Sequence, residues 1–179
     1  MKNTLAMVQA VVTQSLRNAT SLEAATHTVA DRIQALGPAQ DMLTETNWET
    51  TDIRDVVQAA IAPHTDGGNR FTVEGESVDL TAQQGMGLAL AIHELATNAA
   101  KYGALSNASG NVEISWETGG DGNFSFRWSE VDGPTVAEHL TTGFGSRLVG
   151  RVVPTYFNGK ATLDYASSGL TYIMIGSLS

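Results

Sequence analysis

The sequence contains no cysteine, which removes disulfides, thiol nucleophiles and cysteine-held metals from its chemistry. Positive charge is scarce: 10 lysines and arginines stand against 19 aspartates and glutamates, a formal net charge of −9. A nucleic-acid-binding surface needs the opposite balance, because phosphate backbones are met by clustered Lys and Arg. A nucleotide pocket is not excluded, since it needs only local backbone donors and a cation. No apolar run approaches the roughly 20 residues that span a bilayer, and the opening lacks the basic-then-apolar form of a signal peptide. A soluble, cytoplasmic chain without a membrane segment is the expectation. Proline is also rare, at 4 residues, so each one marks a local event. Apolar residues, by contrast, make up 42%, enough to bury the core of one domain with a small satellite element.

Two units follow one another. Residues 1–46 read as a helical hairpin, with Leu5, Val8, Val12 and Leu16 recurring at helical spacing. A break at Asn18-Ala19 precedes Thr20, which forms a capping-box signal with Glu23 for a second helix. There Leu22, Val29, Leu36 and Leu43 lie seven apart, a spacing that favours a supercoiled pair or bundle. Two such helices cannot shield both stripes alone, so either a second copy pairs with them or they pack on the following domain. Gly37-Pro38 falls within the second stripe, and proline's missing N–H predicts a kink or break there. Residues 44–51, with Trp48, form the expected hinge.

From 47 to 179 the pattern is mixed. A helix is expected from Asp52 to Ala62, stopped by Pro63, followed by a turn over residues 65–69 and short strands at 70–73 and 77–80. The best helix of the chain starts at Thr81, with Gln84 completing a capping box, and runs to Tyr102, closed by Gly103. Residues 111–117 and 123–130 alternate apolar and polar around Gly-Gly-Asp-Gly, a hairpin signal. A glycine-rich loop and short helix are expected over 142–153, and a last hairpin joins 161–165 to 170–175. The natural packing is α+β: the helical hairpin, then a two-layer sandwich with helices on one face of a mixed, largely antiparallel sheet.

On a wheel of about 100° per residue, Leu88, Ile92, Leu95, Ala99 and Tyr102 share one arc and should face the sheet. Glu94, Asn98 and Lys101 share another. Glu94 and Lys101 are the only charged residues of this helix, fewer than a freely solvated face carries, so most of it is covered. A polyanionic ligand with a hard cation would satisfy all three polar groups; a plain solvent-facing patch is the competing reading. His93 points off that arc, where packing or support of its neighbours fits better than chemistry. His27, His64 and His139 show no ligand spacing and read as solvated.

The string His93-Glu94-Leu95-Ala96-Thr97-Asn98-Ala99-Ala100-Lys101-Tyr102 resembles the N-box of sensor histidine kinases. With His93 and a Trp-x-Glu motif at Trp128-Ser129-Glu130, the chain is similar to the HWE subfamily in particular. Gly143-Phe144-Gly145-Ser146-Arg147-Leu148 resembles its glycine box, and Asp31–Leu36 with Asn47-Trp48 resembles its second helix and hinge. Four such motifs in order are specific where each alone is weak.

The resemblance implies the sandwich of the histidine kinase, gyrase B and heat-shock-90 ATPases, binding ATP with magnesium. It implies Asn98 as a magnesium ligand, with Glu94 either reaching the ion through water or assisting proton removal from an attacking imidazole. Lys101 would offset phosphate charge, with Tyr102 partly in the core. Glu130 stands where related kinases use an aspartate to accept from the adenine amino group, and Asp132-Gly133 rivals it for that role. Gly143 and Gly145, with Phe144 and Leu148 in the same box, would bring backbone amides to the phosphates. Residues 131–142 would be the lid. A response regulator is the implied partner and a homodimer through the hairpin is possible in the same scheme.

The chain departs from the family at the phosphoacceptor. The family's His-Arg-x-Lys-Asn string is represented only from Lys2-Asn3, and no other histidine lies on the first helix. The expectation is an ATP-binding protein that does not label itself. A non-catalytic scaffold that binds a response regulator is the alternative; another ATPase of the same fold is a third reading, opposed by the hairpin and Trp128-Ser129-Glu130.

Overall fold

In this computed structural model, residues 2–45, 50–135 and 147–178 are described. Helices α1 (Lys2–Arg17) and α2 (Leu22–Glu45) form the opening hairpin. The cap of α2 is Ser21 rather than Thr20: its hydroxyl accepts from the Ala24 amide at 3.1 Å. The helix does not break at Pro38, and α2 runs through it. Pro38 lies on the exposed side, where the carbonyl it deprives of a partner can turn to water.

The hairpin docks by a face that keeps Leu36 and Val8 of the expected stripes but leaves others of them outside. α1 buries Met7, Val11 and Ser15; α2 buries Ala25, Arg32, Leu36 and Ala39. Leu5, Leu16 and Leu22, from the expected stripes, stay 71%, 54% and 81% exposed.

Strand β1 (Thr50–Asp52) occupies the end of the expected hinge; the Asn47-Trp48 part of it lies outside the described residues. The Asp52 carboxylate then caps α3 (Ile53–Ile61) by accepting from the Arg54 amide at 2.8 Å. β2 (Phe71–Glu74) and β3 (Asp79–Thr81) follow, with β3 pairing antiparallel to β1 in a two-stranded sheet. α4 (Ala82–Tyr102) opens with the capping box read from the sequence, Thr81 and Gln84 bonding reciprocally. β4 (Asn111–Thr118), β5 (Asn123–Val131), β6 (Lys160–Ala166) and β7 (Gly169–Ser177) complete a five-stranded sheet in the order β2-β4-β5-β7-β6. Among the described residues β2–β4 is the parallel pairing of this sheet, and the other three are antiparallel.

Alternation fixes which face is buried. Val112, Ile114, Trp116, Phe124, Phe126, Trp128, Tyr172 and Met174 point into the core against α4, whose Leu88, Ile92, Leu95 and Ala99 are at most 1% exposed. Before β6, a π-helical turn (Leu148–Val152) and a 3-10 turn (Val153–Phe157) cap the core, and the Tyr172 hydroxyl donates to the Val149 carbonyl at 2.7 Å.

Candidate functional site

The polar arc of α4 is present, but it is split. Glu94 is buried and its carboxylate is taken by an arginine of the hairpin: Arg32 Nε donates to Oε1 at 2.5 Å and Nη2 donates to Oε2 at 2.9 Å. The two side chains are 8% and 9% exposed. Arg32 Nη1 donates to Ser15 Oγ at 2.9 Å, and Ser15 donates to the Val11 carbonyl at 2.7 Å. A buried carboxylate needs such a partner, and an arginine fork supplies both oxygens at once. Sequence reading left the partner of Glu94 to a ligand; within the fold it is Arg32. Arg32 shares a helical face with Ala25, Leu36 and Ala39, so a charged residue among apolar positions was the legible signal for it.

One turn further on, Asn98 is half-buried, and its amide has no hydrogen bond to the described residues. Lys101 is exposed, and Tyr102 is 53% exposed, so the expectation of Tyr102 on the core arc is corrected: its side chain stands largely in solvent. His93 is half-buried and its ring stands 6.4 Å from that of His64, tilted by 56°. His64 is therefore not the isolated, solvated histidine expected. Burial lowers the pKa of both, and the charge of His93 lowers that of His64 further.

Glu130 meets the chain just beyond the last turn of α4. Its Oε1 accepts from the Ala104 amide at 2.8 Å and its Oε2 from the Trp128 indole at 3.2 Å. Burial raises its pKa, against these two donors, which lower it. Gly103 allows the approach: a Cβ there would meet Glu130 Oε1 at 2.0 Å. Asp132, exposed at φ 55°, follows β5, and its carbonyl accepts from Asn107 Nδ2 and Ser109 Oγ, both at 3.2 Å. Gly133 passes so close to Ala104 that a Cβ would lie 2.7 Å from Ala104 Cα.

Arg70, which sequence reading missed, holds this corner together. Its guanidinium donates to the carbonyls of Ala104, Asn107 and Gly110 at 2.6 to 2.8 Å. Arginine is suited to this because its five donors leave in fixed directions. Glu130, Gly133 and the end of α4 are thus brought together. Leu148 is buried in the core, whereas Gly143, Phe144 and Gly145, with His139 and most of the expected lid, lie outside the described residues.

Among the described residues no three His, Asp or Glu side chains cluster as a ready metal site. Half-buried Asn98 offers an amide oxygen of the kind magnesium takes, one or two from the protein with the rest from water and phosphates. No described helix is long and apolar enough to cross a membrane.

A helical hairpin on a sandwich of this topology is the fold of histidine kinase catalytic regions. The structure superposes on a blue-light-activated histidine kinase of Erythrobacter litoralis with TM-score 0.70 at 19% identity, over 98% of this chain and 59% of that one. It matches the catalytic domain of histidine kinase ThkA with TM-score 0.54 at 15% identity, over 73% of this chain and 96% of that one. Residues 1–77 match the HWE histidine kinase family model. A blue-light-activated histidine kinase of Brucella anthropi is 37% identical over 99% of this chain and 37% of its own length; one from Brucella ovis is 39% identical over 94% and 35%. The chain is of the HWE histidine kinase family. It spans a little over a third of the length of these curated relatives.

Proposed function

We propose that this chain is the ATP-binding catalytic region of a sensor histidine kinase, moving the γ-phosphoryl group of ATP to a histidine for relay to a response regulator aspartate. The carrying observation is the split arc on α4: Asn98 and Lys101 lie open one and two turns beyond a covered carboxylate, on a helix otherwise packed into the core. Asn98 offers magnesium an amide oxygen, and Lys101 offsets phosphate charge. When bound, magnesium neutralises the phosphates and stabilises the charge that shifts during transfer. Glu94 takes the proton of the attacking group. At the base end, Glu130 uses two of the roughly four acceptor positions of a carboxylate on the protein, leaving capacity for the adenine amino group. Asp132 is the second candidate there, because it is exposed at the end of the same strand. Residues 1–46 supply the phosphotransfer-type hairpin and 47–179 the catalytic domain. The exposed Leu5, Leu16 and Leu22 support pairing of that hairpin with a second copy.

Calorimetry with Mg·ATP tests the reading. Asn98→Ala is expected to weaken binding by about tenfold or more, the scale on which lost metal-supporting groups act. Full affinity in Asn98→Ala, or binding indifferent to magnesium, rejects the site. Competition of ATP against GTP in Glu130→Gln and Asp132→Asn then identifies the base-reading carboxylate as the one whose loss removes the preference.

A further inference from the structure

We propose that Arg32 is a positioning residue that keeps Glu94 out of the reaction, so that the helical hairpin sets the fraction of molecules able to transfer the γ-phosphoryl group. This rests on the nucleotide reading above and adds the contact that limits turnover. Both Glu94 oxygens lie on one guanidinium, and the remaining nitrogen of that group is anchored to Ser15. The three residues come from α4, α2 and α1, so the lock joins the nucleotide helix to both helices of the hairpin. Asn98 is half-buried and Lys101 exposed on the same arc, and among the described residues neither is held by such a pair. The end of the arc that meets ligand is open, while its proton acceptor lies under the hairpin.

The step concerned has a simple balance. A water oxygen or imidazole nitrogen bonds to the γ-phosphorus as the bond to the β–γ bridging oxygen breaks, and ADP leaves with that electron pair. The proton of the nucleophile goes to a carboxylate oxygen. Glu94 is buried with both oxygens turned to the Arg32 guanidinium, and a general base must come within hydrogen-bond reach of the proton it takes. The pair must therefore open first. Arg32 Nη1, the nitrogen not shared with Glu94, is tied to Ser15 on α1. Apolar docking of the hairpin is modest and relies on Met7, Val11, Leu36 and Ala39, which keeps opening within reach.

The test measures ATP affinity by calorimetry and ADP production by a coupled assay. It compares the wild-type chain with Ser15→Ala, Arg32→Lys, Arg32→Gln, Glu94→Gln and the Arg32→Gln/Glu94→Gln pair. With ATP affinity unchanged, ADP production is expected to rise in Ser15→Ala and Arg32→Lys. It should rise most in Arg32→Gln, on the order of tenfold as the competent fraction grows. The rise should vanish in the double variant. Arg32→Gln leaves a buried carboxylate without its ion pair and endangers folding; circular dichroism checks this, and Ser15→Ala with Arg32→Lys decide the matter if it unfolds. Turnover that is unchanged in these two, or that falls towards the Glu94→Gln level, overturns the proposal. Failure of the wild-type chain to bind ATP rejects the nucleotide reading instead, and binding without any gain in turnover rejects the lock alone.

Discussion

His64 and His93 face each other where α2, α3 and α4 meet, and each carries a pKa lowered chiefly by burial. Asp31 and Glu94 pull His93 the other way, Arg32 and Lys101 push it down, and Asp66 raises His64. With folded values below the unfolded one, the unfolded chain takes up protons first on acidification. The stability contribution is therefore complete above about pH 6.5 and is lost as pH falls towards the folded values. Urea midpoints of wild type should drop between about pH 7.5 and pH 5.5, and His93→Gln should flatten that drop. Equal slopes in the two proteins would remove the histidines as its cause. The placement of the polar residues of α4 was legible at this scale because a wheel needs only one helix: Glu94, Asn98 and Lys101 fall at spacings of four and three on it. The partners of Glu94, His93 and Glu130 were not legible, because they come from residues 62, 29 and 26 positions away. Local patterning carries no record of which distant side chain arrives.

Among the elements, α4 and the two large hairpins followed from capping boxes, alternation and glycine turns, signals that depend on near neighbours. β1 was hidden, since three residues are too few for a periodicity and its partner β3 lies beyond α3 and β2. α2 shows a rule yielding to context. Proline costs a helix interior about 3 kcal/mol relative to alanine, yet α2 continues through Pro38. Part of that cost is offset because proline also restricts the unfolded chain. Pro38→Ala is accordingly expected to stabilise the hairpin by about 2 kcal/mol, read as a higher thermal midpoint of the helical signal. A lower midpoint would mean that the ring makes a packing contribution greater than its backbone cost.

For the molecule as a whole, stability is unevenly distributed. The sheet and α4 enclose Trp128, Tyr172, Phe124, Phe126 and Phe157, whereas among the described residues the hairpin buries small and medium side chains and the Arg32 lock. Hydrogen exchange should therefore open α1 and α2 well before α4, β5 and β7. Simultaneous exchange of all helices would contradict this. The parallel pairing has a consequence for how the chain is made. In the β4–β5 and β6–β7 hairpins each strand meets its partner across a short turn, an event of about 1–10 μs. β2 instead pairs with a strand about 40 residues downstream, with Phe71 opposite Val112. At ribosomal speeds of about 5–20 residues per second, β2 spends seconds in the cell before its neighbour exists. Four residues long, with apolar and polar side chains alternating and Glu74 at its end, it presents other nascent chains with little to adhere to during that wait.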